Sequence, residues 1–309
     1  MLLFLPAPVR GVIGFVLFAL NLMFWIIPFY VVAILKLLIP VTRWRQLCVR
    51  WLEAIGEVWI DVNGLLERAL HGGDWDIVGI DGLRRRDWYL VSSNHQSWVD
   101  VFVLQRVFNR RIPFLKFFIK KQLIWVPLLG LAWWALGLPF MQRHSRETLE
   151  KNPELRGQDL ETTRRACEHF SQVPTALINF MEGTRFSEAK REQQQSPYRH
   201  LLNPKAGGIA FALSAMGEKM HRLLDVTIVY PKPNPTFWDL LSGALPNITV
   251  HVRQEEIPPA FIGGDYLNDE EFRERFQTWI RELWQDKDEL MDELAVAWMN
   301  RGSDPAAIP

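Results

Sequence analysis

Cysteine is scarce in this 309-residue chain, which has two, Cys48 and Cys167. That excludes a disulfide framework and suits a reducing compartment. Net charge is absent, because 35 Lys and Arg balance 35 Asp and Glu, so no global field gathers a polyanion. No Gly- or Ser-rich linker and no internal repeat divides the sequence, and the hydrophobic content of 49% is ample for a buried core. Charge is missing altogether from residues 11–35, and acidic side chains are missing from residues 101–146, which hold eight Lys or Arg.

The charge-free run is long enough, as a helix, to cross a hydrocarbon core of about 30 Å. It is too long for the apolar part of a signal peptide, and no small-residue cleavage site follows. Lys36, Arg43, Arg45 and Arg50 come after it and only Arg10 before it, which places the bulk of the protein on the cytoplasmic side of an inner or cytoplasmic membrane. Pro28 leaves two forms open, one spanning transmembrane helix or a hairpin dipping into one leaflet. The organisation expected is an anchoring segment over 1–50 and a catalytic domain over 51–309. The basic stretch carries Trp125, Trp133 and Trp134 around the apolar run 123–140, a mixture that suits an anionic membrane surface.

Periodicity predicts strands at 75–80 and 88–92 around the turn Asp81-Gly82, then 175–180, 226–230 and 248–253. It predicts helices at 99–108, 156–170, 206–216 and 269–294. Strands alternating with helices make an α/β domain, a mixed sheet flanked by helices behind the membrane-associated N-terminal segment.

The run Asn94-His95-Gln96-Ser97-Trp98-Val99-Asp100 follows a strand and opens a helix. There His95 can act as a general base, with Asp100 holding one ring nitrogen. A helix cap, or a pair of metal ligands, would use the same residue types. Ser97 lacks the G-x-S-x-G elbow of a hydrolase nucleophile. Three further motifs end other elements: residues 137–143 finishing in Arg143, the run Glu182-Gly183-Thr184-Arg185 after a strand, and Lys205 before Ala206-Gly207-Gly208. Gly183 lets backbone approach a ligand, Arg185 has the fork that grips a phosphate, and a cation at a helix start favours an anion.

In this order, N-H-x-x-x-x-D, then F-x-x-R, then E-G-T-R, then Val226-Thr227-Ile228-Val229-Tyr230-Pro231, the chain resembles the glycerophospholipid acyltransferase family, typified by 1-acyl-sn-glycerol-3-phosphate acyltransferases. The stretch Lys120-Lys121-Gln122-Leu123 with Pro127 and Gly130 is similar to the family as well. The resemblance implies His95 as base and Asp100 as its orienter, with Arg143, Glu182, Gly183, Thr184 and Arg185 as the acceptor's phosphate and glycerol site. Lys120 and Lys205 would be further phosphate contacts. Met181 stands where the family often has proline, Met141-Gln142 where it has Ile-Asp, and Thr227 where it has proline. These departures, with residues 284–290, look more like the branch that acylates lysophospholipids such as lysocardiolipin.

The activity this implies is transfer of a fatty acyl group from a thioester, acyl-coenzyme A or acyl carrier protein, to a lysophospholipid hydroxyl. The acyl donor is a co-substrate, and no cofactor or metal is expected. The first acceptor is 1-acyl-sn-glycerol-3-phosphate. Alternatives are a larger-headed lysophospholipid, such as lysocardiolipin or lysophosphatidylglycerol, or a non-catalytic membrane lipid-binding protein. The expected partners are membrane lipids and the donor. Nucleic acid is set aside, since the Arg106–Lys121 cations belong to no recognisable module.

Overall fold

The computed structural model describes residues 2–70, 73, 75–138, 140–141, 173–245 and 247–302. Two long helices open the chain, α1 (Ala7–Leu38) and α2 (Thr42–Leu70). Strands β1 (Asp76–Val78) and β2 (Tyr89–Ser93) lead to α3 (Val99–Phe108). Next come β3 (Leu115–Phe117), β4 (Ile119–Lys120), α4 (Leu129–Ala135) and β5 (Phe140–Met141). Beyond them lie β6 (Ala176–Asn179), α5 (Glu188–Gln193), α6 (Gly207–Met216) and β7 (Arg222–Val229). α7 (Phe237–Ser242), β8 (Thr249–Glu256) and α8 (Glu270–Gly302) complete the α-helices and strands among the described residues.

Six strands form one sheet in the order β1-β8-β7-β2-β6-β3. Every pairing is parallel except β7 with β8, so the sheet is mixed, as expected. β2 is buried along its whole length, which fits a central parallel strand covered on both faces. One face, with Val91, Ile178, Leu224 and Val226, packs on Phe102, Val103 and Val107 of α3 and on Leu240 of α7. The other, with Leu90, Leu177 and Leu223, packs on Ile209 and Leu213 of α6 and on Phe276, Ile280 and Trp284 of α8. The α8 contacts recur at helical spacing, which is why the pattern at 269–294 was readable.

α1 continues unbroken through Pro28. Its return arm is α2, antiparallel to it: Leu2 N–H donates to Ala69 O (2.9 Å), Asn21 Nδ2 to Asn63 Oδ1 (2.9 Å), and Trp44 Nε1 to Leu35 O (3.0 Å). The junction expected after Arg50 therefore falls inside α2. The apolar run at 123–140 is broken into a 3-10 turn (Lys121–Trp125), α4 and β5. The helix expected at 156–170 lies outside the described residues.

Candidate active site

β2, β6 and β7 are adjacent and parallel, so their carboxyl ends meet at one edge of the sheet, where α/β proteins place ligands. His95 follows β2, Glu182 follows β6 and Tyr230 follows β7. Asn94 ties the first to the third: its amide donates to Ile228 O (2.9 Å) and its carbonyl accepts from Ile228 N–H (2.8 Å).

Asp100 lies in the first turn of α3 and is fully buried. Its Oδ2 accepts from His95 Nδ1 (2.8 Å) and from the backbone N–H of Gln96 (2.7 Å) and Ser97 (2.8 Å). Its Oδ1 accepts from the Tyr230 hydroxyl at 2.6 Å. With a carboxylate opposite it, Nδ1 carries the proton and Nε2 the lone pair. The imidazole stacks on Phe180, with ring centroids 4.0 Å apart. Its backbone N–H donates to Glu182 Oε1 (2.7 Å), and its carbonyl accepts from Phe186 N–H (2.7 Å). Backbone, one ring face and Nδ1 are all held, and Nε2 has no protein partner among the described residues.

Glu182, which the resemblance implies for the acceptor site, has its carboxylate fully buried and turned inward, with its second oxygen accepting from Leu202 N–H at 3.1 Å. Burial pushes its pKa up to about 8 against those two amide donors. Gly183, in the left-handed region at φ 69°, makes the turn that separates the inward Glu182 from the outward Arg185. The Arg185 guanidinium lies 5.5 Å from the Trp98 ring, and Lys190 Nζ donates to Thr184 Oγ1 (2.9 Å) and Arg185 O (2.8 Å). Thr184, Arg185 and Lys190 thus form a cationic loop stitched to the backbone of His95.

Lys205 has an exposed side chain, while its backbone N–H donates to Met181 O (2.8 Å). The small residues after it serve packing: a Cβ on Gly208 would lie 2.8 Å from Asn179 Nδ2. Lys120 is in β4, in register with Met141 of β5. Arg143 lies outside the described residues.

Two residues of the site have no role that the sequence alone suggests. Tyr230 stands in a motif noticed for its order alone, and Lys190 had only its place in a short helix capped by Ser187 as a signal.

The Acyltransferase family model matches residues 75–231, half of the chain. The chain belongs to the Acyltransferase family. The family match takes in His95, Asp100, Glu182, Arg185, Lys205 and Tyr230, and leaves the α1–α2 hairpin and α8 outside it. Relatives include the human 1-acyl-sn-glycerol-3-phosphate acyltransferase delta, 25% identical over 221 residues, covering 66% of this chain and 52% of that protein. The Arabidopsis thaliana 1-acyl-sn-glycerol-3-phosphate acyltransferase 2 is 26% identical over 218 residues, covering 66% and 51%. The chain spans about half the length of the curated relatives it matches. The crystal structure of a Thermotoga maritima 1-acyl-sn-glycerophosphate acyltransferase superposes with a TM-score of 0.53 at 16% identity, covering 92% of this acyltransferase-family chain and 97% of its own, a shared fold.

Proposed function

We propose that this protein is a membrane-associated O-acyltransferase that moves a fatty acyl group from an acyl thioester to the free hydroxyl of a lysophospholipid, with 1-acyl-sn-glycerol-3-phosphate as the first acceptor. The observation that carries the reading is the His95–Asp100 pair, held so that Nε2 alone is left for a substrate, beside a loop bearing Arg185 and Lys190. The names of the human and Arabidopsis relatives favour this acceptor.

In the proposed reaction Nε2 takes the hydroxyl proton as the acceptor oxygen attacks the thioester carbonyl. The resulting imidazolium is stabilised by Asp100 and returns the proton to the departing thiolate as the carbon–sulfur bond breaks. The acceptor is the nucleophile, so no acyl-enzyme forms. Arg185 and Lys190 hold the acceptor's phosphate, with Lys205, Lys120 and Arg143 as further candidate contacts, and this brings the hydroxyl to His95. Glu182 acts behind the site, fixing the His95 backbone.

The membrane reading rests on α1 and its partner. α1 is the one described helix long and apolar enough to cross a bilayer. Phe15, Leu20, Phe24, Ile27, Val31 and Leu38 are exposed along it. α2 runs beside it carrying Arg50, Glu53, Glu57 and Asp61. A crossing α1 would draw those charges into hydrocarbon at about 2.5–3.5 kcal/mol for each Arg or Asp at the centre. An in-plane hairpin with its apolar face in one leaflet avoids that cost. This proposal replaces the spanning alternative and keeps the catalytic domain on one side, taken as the cytoplasm.

The test is product identification. Membranes containing the protein receive labelled acyl-coenzyme A or acyl carrier protein thioester and a panel of lysophosphatidic acid, lysophosphatidylglycerol and lysocardiolipin. Label in phosphatidic acid is expected, and its absence beside label in another phospholipid would move the acceptor to the lysocardiolipin-like branch. His95→Ala should cost about 100- to 10,000-fold while expression and membrane association stay unchanged; wild-type turnover by that variant refutes the base.

A further inference from the structure

Tyr230 stands in the one motif, residues 226–231, to which the reaction above gives no task. We propose that Tyr230 is the positioning residue of the catalytic pair: its hydroxyl fixes the free oxygen of Asp100, keeping the other oxygen in line with His95 and moderating the basicity of the imidazole. This rests on the reading of His95 as the base.

The hydrogen bond from Tyr230 to Asp100 Oδ1, at 2.6 Å, is the only one the described residues make to that oxygen, whereas Oδ2 receives three. The strand that delivers Tyr230 is pinned in register two residues earlier, where Asn94 grips both the N–H and the C=O of Ile228. A slip of β7 would therefore pull at Asn94 and Asp100 together. Tyr230 is itself buried, so it cannot meet an acceptor or a thioester and is no proton donor to substrate. Burial, with Asp100 beside it, holds its proton far above the ordinary phenol range, so it remains a donor at any working pH.

Removing the hydroxyl has two physical consequences. The carboxylate keeps three donors on Oδ2 but loses the one tie on Oδ1, so it can tilt about its terminal torsion, which is soft, and the bond to Nδ1 is less well aligned. The charge that Tyr230 had shared is returned to the carboxylate, the imidazolium is better stabilised, and His95 gives up its proton at higher pH. The titratable and charged groups on the elements beside the pair include Glu182 from the end of β6, Arg185 and Lys190 from the following loop, Asp225 of β7 paired with Lys287 of α8, and Asp239 of α7 paired with Lys232. Tyr230→Phe changes none of them and keeps the ring that fills the core.

The experiment is Tyr230→Phe in the full chain in detergent micelles. kcat, KM and the pH profile are measured with whichever lysolipid the wild type turns over, and His95 is titrated by NMR with labelled histidine, assigned through His95→Asn. We expect kcat to fall about 5- to 50-fold with KM within about twofold, a loss comparable to that of one or two buried hydrogen bonds. The acid limb of the profile and the His95 resonance change should both move to higher pH. In an Asp100→Asn background the same substitution should change kcat little, since the two act as a unit. A normal kcat with an unmoved titration overturns the proposal; so does a fall in thermal stability with the titration unmoved, which would make Tyr230 a packing residue only. The NMR arm needs no substrate, so it decides the point even if the acyl-transfer reading fails.

Discussion

Glu182 spends both oxygens on backbone amides, of His95 in one loop and of Leu202 in another, and that use has a pH signature. Its pKa in the fold is pushed from 4.5 to about 8, chiefly by burial. A carboxyl raised in the fold favours the native state fully at pH below 4.5, and that contribution is lost as pH rises through about 8. Glu67 on α2, raised to about 7 by burial despite its ion pair with Arg106, titrates in an overlapping window, so the difference between proteins is what counts. Thermal melts from pH 4.5 to 8 should show wild type losing more stability than Glu182→Gln. At the low end of the range Gln should be the less stable, because its amide N–H₂ faces a backbone N–H where an oxygen stood. Parallel pH curves for the two would remove Glu182 from this role. Sequence revealed that a carboxylate, a glycine and an arginine follow a strand. It could not say that the carboxylate turns inward, because the φ of Gly183 decides that.

At the scale of elements, α8 is the brace of the active-site edge. Trp284 Nε1 donates to Leu202 O (2.9 Å), and Asp288 accepts from the backbone N–H of Arg199 and His200 (both 2.8 Å). The fully buried Lys287 reaches Val226 O (2.6 Å) and pairs with Asp225 (2.7 Å), which also meets Arg253 (2.9 Å). Leu202 in turn shares Glu182 with His95. Lys287→Ala should cost up to about 3–5 kcal/mol, the penalty for breaking a buried pair, lessened by the Arg253 that Asp225 keeps, measured by denaturant unfolding in micelles; a cost below about 1 kcal/mol would show the pair to be idle. The apolar face of α8 was legible because Phe272, Phe276, Ile280 and Leu283 repeat at helical period. Lys287 was not, since lysines almost never bury. Residues 284–290, read from sequence as a branch mark, include the three residues of the clamp, Trp284, Lys287 and Asp288.

At the scale of the molecule, the alternation of strands and helices was enough to anticipate a mixed sheet, and the charge-free run was enough to anticipate an apolar helix. What sequence could not supply was the antiparallel return of α2, since its charges, spread over nearly thirty residues, read as ordinary soluble helix. On the in-plane reading, single cysteines at Leu3 and at Thr42 should react with a membrane-impermeant reagent from the same side of sealed vesicles; labelling from opposite faces would restore a crossing helix. α1 has a second partner much further along the chain. The Trp238 ring closes over Gly11, Leu241 over Gly14, and Phe237 stands edge-on to Phe18. During synthesis, then, the first turns of α1 wait for residues 237–241, more than two hundred positions later, before protein covers that face. On the membrane-associated reading proposed above, a bilayer is the apolar surface at hand until then, and the chain would meet it before its catalytic sheet closes.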